Sequence, residues 1–151
     1  AWWGDLDFMI VDLPPGTGDI HLTLVSDMPL TDVVVVSTPQ EVALADARKA
    51  IAMFGLPSIN IPILGVVENM AWFTPAELPD NKYYIFGQDG AKNLAETQGL
   101  ACLAQVPLVQ SVREAGDVGR PAVLQEGTIV SQAFEGMTEK VLNALQVSAG
   151  V

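Results

Sequence analysis

The chain has 151 residues, seven basic against eighteen acidic side chains, a formal charge of −11 and half its residues hydrophobic. That length predicts a single domain with ample apolar material for a core. A surface this acidic repels phosphodiester backbones and anionic lipid, so the expected partners include no nucleic acid and no membrane. A nucleotide is not excluded by the charge, because its site needs only local N–H groups and a metal.

The amino terminus, Ala1-Trp2-Trp3-Gly4-Asp5, has neither an initiator Met nor the basic start and apolar core of a signal peptide. It reads as the interior of a longer protein, cut just before a strand. Residues 8–12 (Phe-Met-Ile-Val-Asp) are the first expected strand, followed by a Pro-Gly loop and a short helix around residues 20–26. Residues 32–37 (Asp-Val-Val-Val-Val-Ser) have the unbroken hydrophobicity of a buried parallel strand.

Thr38-Pro39-Gln40-Glu41 then predicts a helix start, with Thr38 as cap, Pro39 in the first turn and Glu41 as the capping-box acid. That helix runs to Phe54 and stops at Gly55-Leu56-Pro57. Residues 62–69 are the third strand, residues 70–82 an irregular excursion, and residues 83–86 a short strand. A helix over 90–97, a strand over 100–106, a loop-rich segment over 108–127 and an amphipathic helix over 128–145 complete the chain. Strands alternating with helices predict an α/β fold, a mostly parallel sheet with helices on both faces. No run reaches the ~18 apolar residues of a membrane span. The lone cysteine, Cys102, excludes an internal disulfide and fits a reducing compartment.

The chemistry concentrates in Asp12-Leu13-Pro14-Pro15-Gly16-Thr17-Gly18-Asp19. In open parallel sheets ligands bind beyond the carboxyl ends of the strands, where Asp12 is expected. A carboxylate there holds Mg²⁺ through water, while Gly16 and Gly18 offer N–H groups to a terminal phosphate. The competing reading is a turn whose Asp caps its own backbone. Two prolines and two glycines in eight residues exceed what a turn requires.

Asp19 suits a helix cap as well as a catalytic role. His21, the only histidine, has no Cys or carboxylate at ligand spacing and reads as structural. Cys102 reads as a small buried hydrophobe. Glu68-Asn69-Met70 sits at another strand's carboxyl end, where the Asn69 amide suits either a purine edge or a turn. Pro107 to Ala115 follows the last strand in the same position. Arg113 there serves either to stack on a base or to form a surface ion pair of small value. The Gly-x-x-x-x-Gly-Lys-Ser/Thr cradle for the phosphates occurs nowhere in the 151 residues.

The segment from Trp3 to Asp19 resembles the switch II/Walker B region of the Mrp/Nbp-type (ApbC-like) P-loop ATPases, relatives of MinD and of the nitrogenase iron protein. Further blocks resemble the same family: residues 38–49, Val66-Val67-Glu68-Asn69-Met70, Ile85-Phe86-Gly87, Gly90-Ala91 and Val106-Pro107-Leu108. Together they span residues 2–121.

The resemblance implies that residues 1–151 are the carboxyl-terminal portion of one P-loop ATPase domain. It implies a cytoplasmic, homodimeric ATPase that uses ATP and Mg²⁺ and hands iron–sulfur clusters to client or scaffold proteins. By it, Asp12, Gly16 and Asp19 are the catalytic positions, and Asp12 orients the magnesium shell through water. Pro14, Pro15, Asn69, Pro107, Val109 and Arg113 border the nucleotide.

The sequence departs from the family at one point. The Cys-x-x-Cys usual shortly after Glu-Asn-Met is replaced by residues 71–82 without cysteine, and thiolates are the usual ligands of such clusters. That departure leaves open a MinD/ParA-like dimerisation switch without a cluster, and the missing phosphate cradle leaves open a fragment inactive by itself.

Overall fold

The computed structural model describes residues 2–148 except Pro15, Thr17, Ala76 and Pro79. Three parallel strands, β1 (Val33–Ser37), β2 (Ile63–Phe73) and β3 (Cys102–Leu108), form a sheet in the order β1-β2-β3. Around it lie α1 (Asp19–Asp27), α2 (Glu41–Phe54), α3 (Gly90–Thr97), α4 (Gln110–Asp117) and α5 (Ile129–Ser148), with a 3-10 turn at Ala122–Leu124.

Alternation along the central strand sorts the core into two layers. Val66 faces one side, where Leu44, Ala47 and Ile51 of α2 meet Ala91, Leu94 and Ala95 of α3. Val67 faces the other, where Phe134, Met137 and Val141 of α5 pack over Leu103 and Val106. A third cluster, Val25 of α1 with Met53 and Phe54 of α2, gathers Val33 and Ile63 at the amino ends of β1 and β2. The expected α/β class with helices on both faces is what forms.

Several local expectations change. Residues 8–12 form no strand, and Phe8, Met9 and Ile10 are exposed, Ile10 to 95%. An extended segment becomes a strand only by pairing, and among the described residues β1 has β2 as its one strand neighbour. Helix α1 starts at Asp19 behind Gly18, so Asp19 does not cap it. Helix α2 begins behind Gln40 rather than Thr38. The Pro39 carbonyl lies so close to Gly90 that a Cβ there would collide with it, and the backbone turns helical only beyond that contact.

Strand β2 continues to Phe73, because Phe73 and Tyr83 exchange two backbone hydrogen bonds of 2.8 Å. The irregular excursion therefore starts no earlier than residue 74, and residues 83–86 contribute a single bridge instead of a strand. Strand β3 runs through Pro107, which an edge strand tolerates. The segment expected to be loop-rich carries α4 and the 3-10 turn. Thr128 lies just outside α5, its hydroxyl accepting the Ser131 N–H at 3.1 Å as a helix cap. No helix among the described residues is long and apolar enough to cross a membrane.

Candidate functional site at the carboxyl edge of the sheet

Parallel strands carry their exits to one edge, and the cross-strand register fixes what meets there. Ser37, Glu68 and Gln105 form one transverse row, and Asn69 stands beside Val106 in the next. The residue after Val106 is Pro107, so the sheet brings Asn69 and the start of the Pro107 segment to the same edge. The Asn69 Oδ1 accepts the Met70 N–H at 2.9 Å. This turn-type bond engages the acceptor side of the amide and leaves its NH₂ group as the remaining donor. Pro107 is buried in β3, and Val109 is the residue before α4. Arg113, on α4, spends its guanidinium on Asp117 at 2.9 Å and Glu114 at 3.6 Å, all exposed. Exposed pairs of this kind carry little energy.

The most constrained group at this edge is one the sequence reading passed over. Glu68 has no exposed surface. Its Oε2 accepts the N–H groups of Ala91 at 2.7 Å and Lys92 at 3.3 Å, in the first turn of α3. Its Oε1 accepts the Gln105 amide at 2.8 Å, and the same amide nitrogen donates to Asp89 Oδ1 at 2.8 Å. A buried carboxylate is tolerable only when so paired, and the positive end of a helix suits it. The sequence does carry a signal: an acid within a largely apolar strand must find partners inside.

The Asp12 segment lies elsewhere. Leu13 packs on the cluster that holds Val33 and Ile63 at the amino ends of the strands, and its neighbour Asp12 is exposed. The His21 ring, 5% exposed, hydrogen-bonds the Pro14 carbonyl through Nε2 at 2.5 Å. A carbonyl only accepts, so Nε2 carries the proton, and Nδ1 is left buried without a partner. The structural reading of His21 holds: it ties the loop to α1. Gly16 has φ of 105°, a backbone state natural to glycine. Pro15 and Thr17 lie outside the described residues.

Two donor sets bear on the chemistry that the resemblance implies. Mg²⁺ keeps most of its water and needs one or two carboxylates plus phosphate oxygens. Asp12 fits that demand as a single ligand, and no cluster of three or more His, Cys, Asp or Glu side chains exists among the described residues. A thiolate-held cluster does not fit. Cys102 is the sole cysteine. Burial first, and then the Glu68 carboxylate, push its pKa up and keep it a thiol.

A family model described as the NUBPL iron-transfer P-loop NTPase (ParA) matches residues 1–142. An Arabidopsis thaliana protein named as a mitochondrial iron–sulfur protein required for NADH dehydrogenase is 43% identical over 145 residues, 95% of this chain and 45% of that one. The Mus musculus iron–sulfur cluster transfer protein NUBPL is 44% identical over 97% of this chain and 45% of its own length. The Aquifex aeolicus iron–sulfur cluster carrier protein is 48% identical over 87% and 36% respectively. The chain therefore spans less than half the length of these relatives.

Among solved structures, a nucleotide-binding protein from Archaeoglobus fulgidus in complex with ADP superposes with a TM-score of 0.69 at 38% identity, over 78% of this chain and 47% of that one. The Mg-ADP complex of Pyrococcus horikoshii MinD shares the fold, with a TM-score of 0.70 at 20% identity over 99% of this chain and 56% of its own. The chain belongs to the NUBPL iron-transfer family of P-loop NTPases.

Proposed function

We propose that this chain is the carboxyl-terminal portion of a P-loop ATPase domain whose full-length form, a homodimer, uses ATP to carry iron–sulfur clusters to client or scaffold proteins. The observation that supports it most is the match, at 44–48% identity over 87–97% of the chain, to proteins named as iron–sulfur cluster transfer or carrier proteins. In this reading Asn69, Pro107 and Val109 frame the base, and Asn69 donates to it. The Pro14–Gly18 loop senses the γ-phosphate. Asp12 orients the Mg²⁺ shell through water, the ion supplying charge at the phosphates. For that, residues 8–12 must pair with a further strand, which carries Asp12 to the carboxyl edge. Asp19 follows the loop in the same movement. A reducing compartment, the cytoplasm in a bacterial or archaeal cell, suits a chain with one unpaired thiol.

The experiment is reconstitution of a cluster on the full-length protein, then transfer to an apo-acceptor, with and without ATP. Transfer supports the carrier reading, and failure of both loading and transfer leaves only an ATPase. One observation favours the second reading, a dimerisation switch like MinD: Cys102 is the sole cysteine and its thiol is held protonated. ATP-dependent dimerisation of iron-free full-length protein, with no cluster bound after reconstitution, would select it.

A further inference from the structure

We propose that Glu68 is a positioning residue for nucleotide binding: its buried carboxylate clamps α3 and β3 together and thereby fixes the edge at which Asn69 and Pro107 meet a base. The proposal rests on the nucleotide-binding reading above.

Placement is the first ground. Glu68 immediately precedes Asn69, and its register partner Gln105 stands two residues before Pro107. The β2–β3 register is broken directly beyond, between Asn69 and Phe73. Backbone pairing therefore slackens where the base would bind, and the Glu68–Gln105 bond of 2.8 Å is the last side-chain tie before it does.

Cost is the second ground. If α3 needed only a cap, Asp89 stands at its N-cap position. Asp89 instead adopts a left-handed conformation, makes no capping bond and turns its carboxylate to Gln105. The capping is brought in from β2 by a carboxylate with no exposed surface. Burying a charge is an expensive route to stability, and well-packed apolar residues commonly do as well or better. What the carboxylate supplies beyond stability is a fixed geometry between three elements.

The third ground is continuity. Gly90, one residue from the clamped Ala91 N–H, sits against the Pro39 carbonyl just beyond β1, and an added Cβ would clash there. The clamp thus registers the exits of all three strands.

The test uses the full-length protein with Glu68→Ala, Glu68→Gln, Gln105→Leu and, as a control at the opposite end of the strands, Met53→Ala. Melting temperature, KM for ATP and kcat are read for each. Glu68→Ala should raise KM about tenfold while kcat at saturation stays within about twofold, the mark of lost binding rather than lost transition-state contact. In Glu68→Gln the amide oxygen still accepts the α3 N–H groups while its NH₂ faces the Gln105 NH₂, so KM should rise, but by less than in Glu68→Ala. Met53→Ala should lower the melting temperature without moving KM.

Should Glu68→Ala fail to fold, Gln105→Leu carries the test, because it cuts the tie to β3 and leaves the α3 cap in place. It too should raise KM. Unchanged KM in Glu68→Ala or in Gln105→Leu, or a KM shift in Met53→Ala as large as theirs, overturns the positioning role and leaves Glu68 a structural cap. A wild-type protein that binds no adenine nucleotide overturns the nucleotide reading itself, and this proposal with it.

Discussion

Cys102 shows how a single side chain takes its chemistry from its surroundings. It sits on β3 beside β2, half-buried, with the Glu68 carboxylate close enough to oppose a second negative charge. Burial and that carboxylate both disfavour the thiolate, and they outweigh the attraction of Lys140 and Lys92. The thiolate is the reactive form. Alkylation by iodoacetamide should therefore be slower than for a free thiol near neutral pH, and its rate should rise at higher pH than the ordinary cysteine range. Urea should abolish the difference. An alkylation midpoint at or below that of a model thiol would contradict the assignment. The linked stability has a definite sign: the folded pKa is raised, so the contribution is complete below the unfolded pKa and is lost as pH climbs through the folded one. Denaturation midpoints should fall on the alkaline side, and Cys102→Ser should flatten that fall.

At the scale of elements, close approach between strands decides what is tolerated. Gly65 on β2 lies where an added Cβ would stand 2.5 Å from the Ala101 carbonyl oxygen and 2.7 Å from Leu103 Cγ. The backbone oxygen cannot yield without distorting the β2–β3 ladder. Gly65→Ala should cost about 1–3 kcal/mol, the range for overpacking a dense core, read as a drop in the urea midpoint. The same scale separates what the sequence disclosed from what it hid. The β1 valines, the α2 pattern from Glu41 to Phe54 and the α3 limits at Gly90 and Thr97 were legible, because their periodicity and stop residues are local. Helix α4 was hidden, since its polar sequence, Gln-Ser-Val-Arg-Glu-Ala-Gly-Asp, buries only Ala115 and gives no apolar stripe. Residues 8–12 were misread as a strand because pairing is a property of two segments, and one segment's hydrophobicity cannot supply the other. The Glu68 clamp signalled only that a strand acid needed partners, and which partners was illegible for a related reason. It joins positions 23 and 37 residues apart in sequence, and only the β2–β3 register makes them neighbours. The Asn69–Pro107 edge was foreseeable from strand exits alone, since parallel topology sends every exit to one side.

At the scale of the whole molecule, two apolar features stand without a partner among the described residues. One is the amino-terminal run, with Trp2, Trp3, Leu6, Phe8, Met9 and Ile10 all exposed. The other is β1, an edge strand among the described residues, whose Val36 is 60% exposed. The sequence holds no Gly-x-x-x-x-Gly-Lys cradle, so the β- and γ-phosphates find few donors. Calorimetric titration of this chain with ATP should show no micromolar binding, and micromolar affinity would refute that. Exposed apolar area of this extent, beside an open strand edge, drives association of the chain with itself. The charge of −11 opposes association, and salt screens that repulsion within about 10 Å at 0.1 M. Sedimentation should therefore show mass increasing with concentration, and more steeply at high salt than at low. Ile10→Asp and Val36→Lys separate the two surfaces. The first removes apolar area and adds repulsion, and the second places a lysine on the exposed edge strand. Each should shift the chain toward monomer, Ile10→Asp most at low salt. A monomer at all concentrations and salts would refute the association itself, and association that salt weakens would refute its hydrophobic origin and point to charge pairing between copies.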